Sequence, residues 1–403
     1  MRGLTNDEAA AVERVAGEPM LAQVEGWAAV NSGSRNLAGL GRVAALLADA
    51  FAALPGGIEL REPSPVDSVT EAGELLPVQH GRNLHLVVRP EAPVQLLFTG
   101  HMDTVFAADH PFQDVFWRDE GVLGGPGVAD MKGGLAVLLA ALRAVEESPV
   151  SATLGYEVVI NSDEEVGSPG SAALIAQAAR GKRAALTYEP SALPDGTLAG
   201  ARPGSGNFSL IVTGRSAHAG RNPEDGRNAV LAAAELALRL AEAKGDGLSV
   251  NPARIDGGAP NNVVPDHAIL RVNMRPSTLA DQARAQAALE EAVAEVSARR
   301  EVRIILHGGW GRPPKPLDPA AGKLFALVTR CGADLGQTLG WRDSGGVCDG
   351  NNIAACGVPV VDTMGVRGGA IHSDCEYLIV ESLAERARLS ALAIMRLARG
   401  EGL

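Results

Sequence analysis

The chain has 403 residues, too many for one compact core, so two domains are expected. With 46% hydrophobic and 21% charged residues it has globular composition, and no run approaches the roughly 20 apolar residues of a membrane-spanning helix. A net charge of −12 and only 3% aromatic residues exclude nucleic acid and anionic membrane surfaces as main partners.

In chain order, residues 94–99 form an apolar run that reads as a buried strand and leads into His101-Met102-Asp103. Next comes a helix with Leu135, Leu138, Leu139, Leu142 and Val145 on one face. A strand at 154–160, a helix at 171–179 and a strand at 183–188 follow. This alternation implies a mostly parallel sheet with helices on both faces, and such sheets gather binding residues at the carboxyl ends of their strands. The character changes near Gly200. Strand 208–213, helix 228–243, strands 248–255 and 267–274, helix 278–298 and strand 302–307 give the order βαββαβ of a ferredoxin-like unit. Thr278 and Asp281 form the Asp version of a capping box at the second helix, and the turn-rich stretch 308–314 is expected to end the unit. A strand at 358–364 precedes His372. The expected organisation is an α/β catalytic domain, residues 1–202 and 312–403, interrupted by a smaller domain at 203–311.

Five segments of this chain carry metal-ligand chemistry. They are His101 after a strand, Asp130 in Gly125-Pro126-Gly127-Val128-Ala129-Asp130, the pair Glu164-Glu165 after a strand, Glu189 closing a strand, and His372. Singly, each has an ordinary structural reading: a turn-forming Asp, a solvated helix start, a structural His. Together they make a two-metal hydrolase site. Imidazole and carboxylate donors suit zinc, and two ions can share a carboxylate. Asp130 is expected to bridge, because flanking glycines let the backbone approach closely. His101 and Glu189 would complete one ion, Glu165 and His372 the other. Glu164 cannot easily join its neighbour on the same ion and is expected to be the general base. Asp103 is expected to orient the His101 ring.

These residues resemble the co-catalytic zinc metallopeptidases that include folate-cleaving glutamate carboxypeptidase, acetylornithine deacetylase, succinyl-diaminopimelate desuccinylase and aminoacylase. The resemblance spans about residues 21–398. It rests on His101-Met102-Asp103-Thr104-Val105, the stretch 125–134, Asp163-Glu164-Glu165-Val166-Gly167, Glu189-Pro190, His372-Ser373, Gly214-Arg215-Ser216-Ala217-His218-Ala219-Gly220 and Asn262-Val263-Val264-Pro265. It implies that the inserted domain is a lid that mediates homodimerisation and that the Asp130–Met131 peptide is cis. It also implies that His218 stabilises the oxyanion in the partner subunit's site, and that Arg275, Asn262 and Arg312 anchor a substrate α-carboxylate. The segment Cys348-Asp349-Gly350 departs from the family's small residue before its Asp.

The reading is therefore a hydrolase with two zinc ions per subunit, cobalt and manganese being acceptable substitutes. It would cleave an amide bond to a C-terminal or N-acylated amino acid, with glutamate-releasing carboxypeptidase action preferred and N-acyl-amino-acid deacylation as the alternative. A metal-free binding protein that has kept the fold, and a cysteine or serine hydrolase, are the competitors from other classes. Residues 1–8 lack an apolar stretch of signal-peptide length. Cys331, Cys348, Cys356 and Cys375 show no CxxC pairing, so reduced thiols in a cytoplasmic protein are expected.

Overall fold

The structure is a computed structural model that describes residues 3–402. Its central sheet has six strands in the order Gly57–Arg61, Asn83–Val88, Leu154–Asn161, Val94–His101, Ala184–Thr187 and Val360–Val361. The last four run parallel, and the first two are joined by antiparallel pairings. Period-two alternation sends Leu96 and Phe98 to one face and Leu97 to the other. The first face packs on helices Gly133–Glu146 and Glu381–Ala398, the second on Ala172–Ala179 and Asp349–Ala355. Helix Gly133–Glu146 is buried on almost every side, which its run of Gly, Ala, Leu and Val requires. A Cβ at Gly134 would sit 1.9 Å from the Tyr188 carbonyl oxygen, so only glycine lets this helix approach the strand end that carries Glu189.

The inserted unit is a four-stranded antiparallel sheet in the order Leu248–Gly257, His267–Pro276, Ser205–Thr213, Arg303–Arg312. Helices Ala229–Glu242 and Leu279–Arg300 cover one face and bury Phe208, Leu210, Leu236, Leu270 and Leu289 between them and the sheet. Thr278 and Asp281 form the capping box read from the sequence. The last strand differs from expectation. It runs through Gly308 and Gly309 to Arg312, because the partner strand Ser205–Thr213 supplies a ladder for the whole length and Gly308 takes up φ 102°. The hairpin Val66–Val69 and Leu75–Val78 leans on the far end of the other sheet face, where Val69 packs with Ile211 and Ile269 and the Val69 carbonyl accepts from Arg271. Among the described residues no helix is long and apolar enough to cross a membrane, and the four cysteines are free.

The strand expected at 358–364 shrinks to Val360–Val361. Its remaining residues turn to other partners: Thr363 Oγ1 accepts from the Ala199 amide, and the fully buried Asp362 is held by Arg202, at 2.7 and 3.0 Å, and by Lys315 at 3.1 Å. Burial alone would raise Asp362, but these two cations overcome it and hold the carboxyl at about 2. The cluster ties the segment entering the inserted unit to the segment leaving it. Asp362→Asn leaves two buried cations without their counter-ion and should lower stability at neutral pH by about 3–5 kcal/mol, read by urea denaturation. Since the folded pKa is depressed, the contribution is complete above the ordinary aspartate range and lost as pH falls through about 2. An unchanged neutral-pH midpoint would contradict this account.

Candidate metal centre

His101 ends strand Val94–His101, and Asp130 sits in the turn before helix Gly133–Glu146, where Gly127 adopts φ 74°. The Asp130–Met131 peptide is cis. His101 Nε2 lies 3.1 Å from Asp130 Oδ1 and 3.8 Å from Glu189 Oε2. His372 Nε2 lies 3.3 Å from Asp130 Oδ2 and 3.1 Å from Glu165 Oε2. Asp130 thus offers one oxygen to each imidazole. The five residues fall into two groups of donors sharing one carboxylate.

A buried frame fixes these donors. His101 Nδ1–H donates to the Asp103 carbonyl at 3.0 Å and lies 3.4 Å from its carboxylate, so the ring's orientation comes as much from backbone as from side chain. The Asp103 carboxylate also accepts the Glu164 and Glu165 amides and the Ser34 hydroxyl. It therefore clamps two strand ends together. The Glu164–Val166 turn is a short 3-10 segment rather than a longer helix start. Glu376, which the sequence reading missed, accepts the Gly127 amide on one oxygen and the Ala129 and Asp130 amides on the other. It holds the loop that presents Asp130. The available signal was a carboxylate four residues after His372.

Charge in this pocket is strongly unbalanced. Burial pushes Glu164 up to about 7 against the pull of Arg312. Burial and the neighbouring Asp130 charge push Glu165 up to about 8. Burial also raises Glu189. Burial opposes a charged His101, yet Asp103, Asp130 and Glu189 carry it well above the ordinary histidine range. Hydrogen bonds to Asp130 and Glu165 push His372 up to about 11. Such a set, with imidazole nitrogens and carboxylate oxygens converging and protons held where cations would go, fits divalent metal ions, whose binding would release those protons.

Two cavities meet at this cluster. One, of about 240 Å³, lies against the parallel sheet and is lined by Ser191, Arg202, Ser344 and Thr363 beside the cluster. The other, of about 720 Å³, opens toward the inserted sheet and is lined by Glu164, Glu165, His372, Asn207, Asn251, Asn273 and Arg275. Arg275 is half-buried there. Its Nε donates to Asn273 and Nη1 to the Gly345 carbonyl. Arg312 lines this cavity too, at the end of the last strand of the inserted sheet. Its buried guanidinium lies 2.7 Å from Glu164 Oε1 and 3.4 Å from Asp349 Oδ1, and also donates to Ser168. His218 and Asn262 line neither cavity. Both are exposed on the inserted unit, where the Asn262 carbonyl accepts from Ala219 and His218 Nδ1 accepts the Gly220 and Arg221 amides.

A parallel sheet with these donors at its strand ends, under an inserted βαββαβ unit, defines a metal-dependent hydrolase. Residues 97–396 match the sequence profile described as peptidase family M20/M25/M40. The chain is 31% identical over 326 residues to carboxypeptidase G2 of Pseudomonas sp. (strain RS-16), covering 80% of this chain and 78% of that one. It is 28% identical over 321 residues to succinyl-diaminopimelate desuccinylase of Psychrobacter arcticus, covering 73% and 76%. Its fold is similar to that of aminopeptidase PepT from Bacillus cereus, with a TM-score of 0.70 at 24% identity over 96% of this chain and 99% of the other. The chain belongs to peptidase family M20/M25/M40.

The Glu376 contacts can be tested directly. In Glu376→Gln a carboxamide supplies one acceptor oxygen where two oxygens now accept three amides, so the Asp130 loop loses part of its support. Metal affinity should fall roughly 10- to 100-fold in competition with a zinc chelator. Wild-type affinity in this variant would rule out the support role.

Proposed function

We propose that the protein is an exo-acting amide hydrolase with two zinc ions per subunit that releases a C-terminal amino acid bearing a free α-carboxylate. A glutamate-type leaving group is preferred on the family resemblance. The observation that carries the reading is the placement of Arg275 on the wall of the same cavity that holds Glu164, Glu165 and His372. His101, Asp130 and Glu189 would hold one ion, and Asp130, Glu165 and His372 the other. When bound, the ions would polarise the scissile carbonyl and acidify water.

Glu164 takes the proton from the attacking water and returns it to the leaving amine. Its contact with Arg312 keeps one oxygen occupied and leaves the other for this transfer. Arg275, whose Nη2 has no hydrogen-bond partner among the described residues, receives the α-carboxylate, as a guanidinium fork suits. His218 serves the oxyanion. Because its Nδ1 accepts two backbone amides, Nε2 carries the proton and is a donor, the polarity an oxyanion needs. Its exposed position, away from the two cavities beside its own subunit's donor cluster, supports a role across a homodimer interface formed by the lid, with Asn262 beside it.

A second reading is N-acyl-amino-acid deacylation. The 240 Å³ cavity with its hydroxyls and Arg202 is sized for a short acyl group, which favours it.

Glu164→Gln should keep its metal and lose several orders of magnitude in turnover, whereas Glu165→Gln should lose metal at one site. Equal metal content in the two variants would contradict the division of roles. Arg275→Ala should cost ten- to a hundredfold in kcat/KM on substrates with a free C-terminal carboxylate and much less on their amides. Equal wild-type rates on acid and amide would defeat the carboxypeptidase reading.

A further inference from the structure

The inserted sheet carries a row of asparagines on the face turned away from its helices. Asn251 stands opposite Asn273, and Asn273 opposite Asn207, on three neighbouring strands. On the fourth strand the position opposite Asn207 is Gly309, which leaves that end of the row open. The neighbours Val250, Val272 and Phe208 point into the helix-side core, so alternation turns the three amides toward the cavity beside the metal cluster.

Two of these amides, Asn273 and Asn207, form a relay of fixed polarity with Arg275. Arg275 Nε donates to Asn273 Oδ1, and a guanidinium has no acceptor, so this oxygen is assigned by chemistry. Asn273 Nδ2 then shares its two hydrogens among the Gly206 carbonyl, which can only accept, the Ser205 hydroxyl oxygen and, at the shortest distance of 2.8 Å, Asn207 Oδ1. With its oxygen taken, Asn207 presents its Nδ2 hydrogens outward, and among the described residues that nitrogen has no protein partner. Asn207 also lines a further chamber of about 700 Å³ that continues the cavity between the sheet and the Val166–Ser168 loop. Diagonal neighbours on adjacent antiparallel strands are about 7–8 Å apart, which sets the spacing between Arg275 and Asn207.

We infer that Asn207 is a specificity-determining residue that donates to a second oxygen acceptor on the leaving amino acid, the side-chain carbonyl or carboxylate, while Arg275 holds the α-carboxylate. This rests on the amide-hydrolase reading for the role of Arg275. The side chain it selects ends in an oxygen acceptor, as in glutamate or glutamine, and an aliphatic chain of the same length is excluded by lacking one. Arg275 sets the direction of the relay, so the preference is for acceptors over donors.

The test is the affinity of the zinc-loaded protein for free glutamate, glutamine and norvaline by calorimetry. Wild type should bind glutamate and glutamine about tenfold or more tightly than norvaline. In Asn207→Asp one carboxylate oxygen keeps the Asn273 bond and the other becomes an outward acceptor. Glutamate should weaken at least tenfold and fall below glutamine, whose amide can donate. An inverted glutamate-to-glutamine order is not produced by general loosening of the sheet. Equal affinities for the three amino acids in wild type, no binding of any, or an unchanged order in Asn207→Asp would overturn the assignment. Calorimetry needs no turnover. Absence of hydrolysis across N-acyl amino acids would sink the amide-hydrolase reading separately, while the affinities still decide the role of Asn207.

Discussion

The constraint on which the structure depends is an excess of buried negative charge at the carboxyl ends of the parallel strands. Asp103, Asp130, Glu164, Glu189, Asp349 and Glu376 are all buried within this one region, with Glu165 beside them. The protein balances part of this charge itself. Arg312 faces Glu164 and Asp349, and seven backbone or hydroxyl hydrogens are spent on Asp103, Glu376 and Asp349. What remains is concentrated on Asp130, Glu165 and Glu189, whose close cationic partners among the described residues are the protonated imidazoles of His101 and His372. Burying such a group costs several kcal/mol unless a counter-charge is supplied. Bound metal ions would supply it in place of the imidazole protons, and the fixed loops around Asp130 and Glu164 keep the donors in place for them.

The same frame joins the two parts of the molecule. Strand Arg303–Arg312 is the last of the inserted sheet, and its final residue reaches into the catalytic region to meet Glu164. A bulge at Ser205 and Gly206 lets the first and last strands of the insertion stay paired down to this point. Arg312 is therefore a direct link between the insertion and Glu164. The buried Arg202–Asp362–Lys315 cluster fastens the same two crossings from the other side. Arg202 also lines the smaller cavity.

Much of this was legible in the sequence, and the reason is local. His101, Glu164, Glu165 and Glu189 each follow an apolar run, so strand ends announced them, and the glycines around Asp130 marked a close backbone approach. The order βαββαβ was equally plain, because each lid helix carries an apolar stripe and Thr278 caps the second. The supporting contacts were not legible. Glu376 acts on a loop some 250 residues away in the chain, and nothing near it records that partner. The resemblance implied a carboxylate-binding role for Arg312, but its contacts with Glu164 and Asp349 depend on where the last lid strand ends, which the sequence does not record. Gly308 and Gly309 read as a turn, but a ladder partner overrode their propensity. The asparagine row needs strand register to be seen at all, since its members lie 22 to 66 positions apart.

The central claim is that Asp130 is shared between two cations. Anomalous diffraction at the zinc edge from crystals grown with zinc tests it most directly. The account predicts two peaks roughly 3.5–4 Å apart, one by His101 and Glu189 and the other by Glu165 and His372, with an Asp130 oxygen on each. A single peak, or a second peak away from His372, would contradict it.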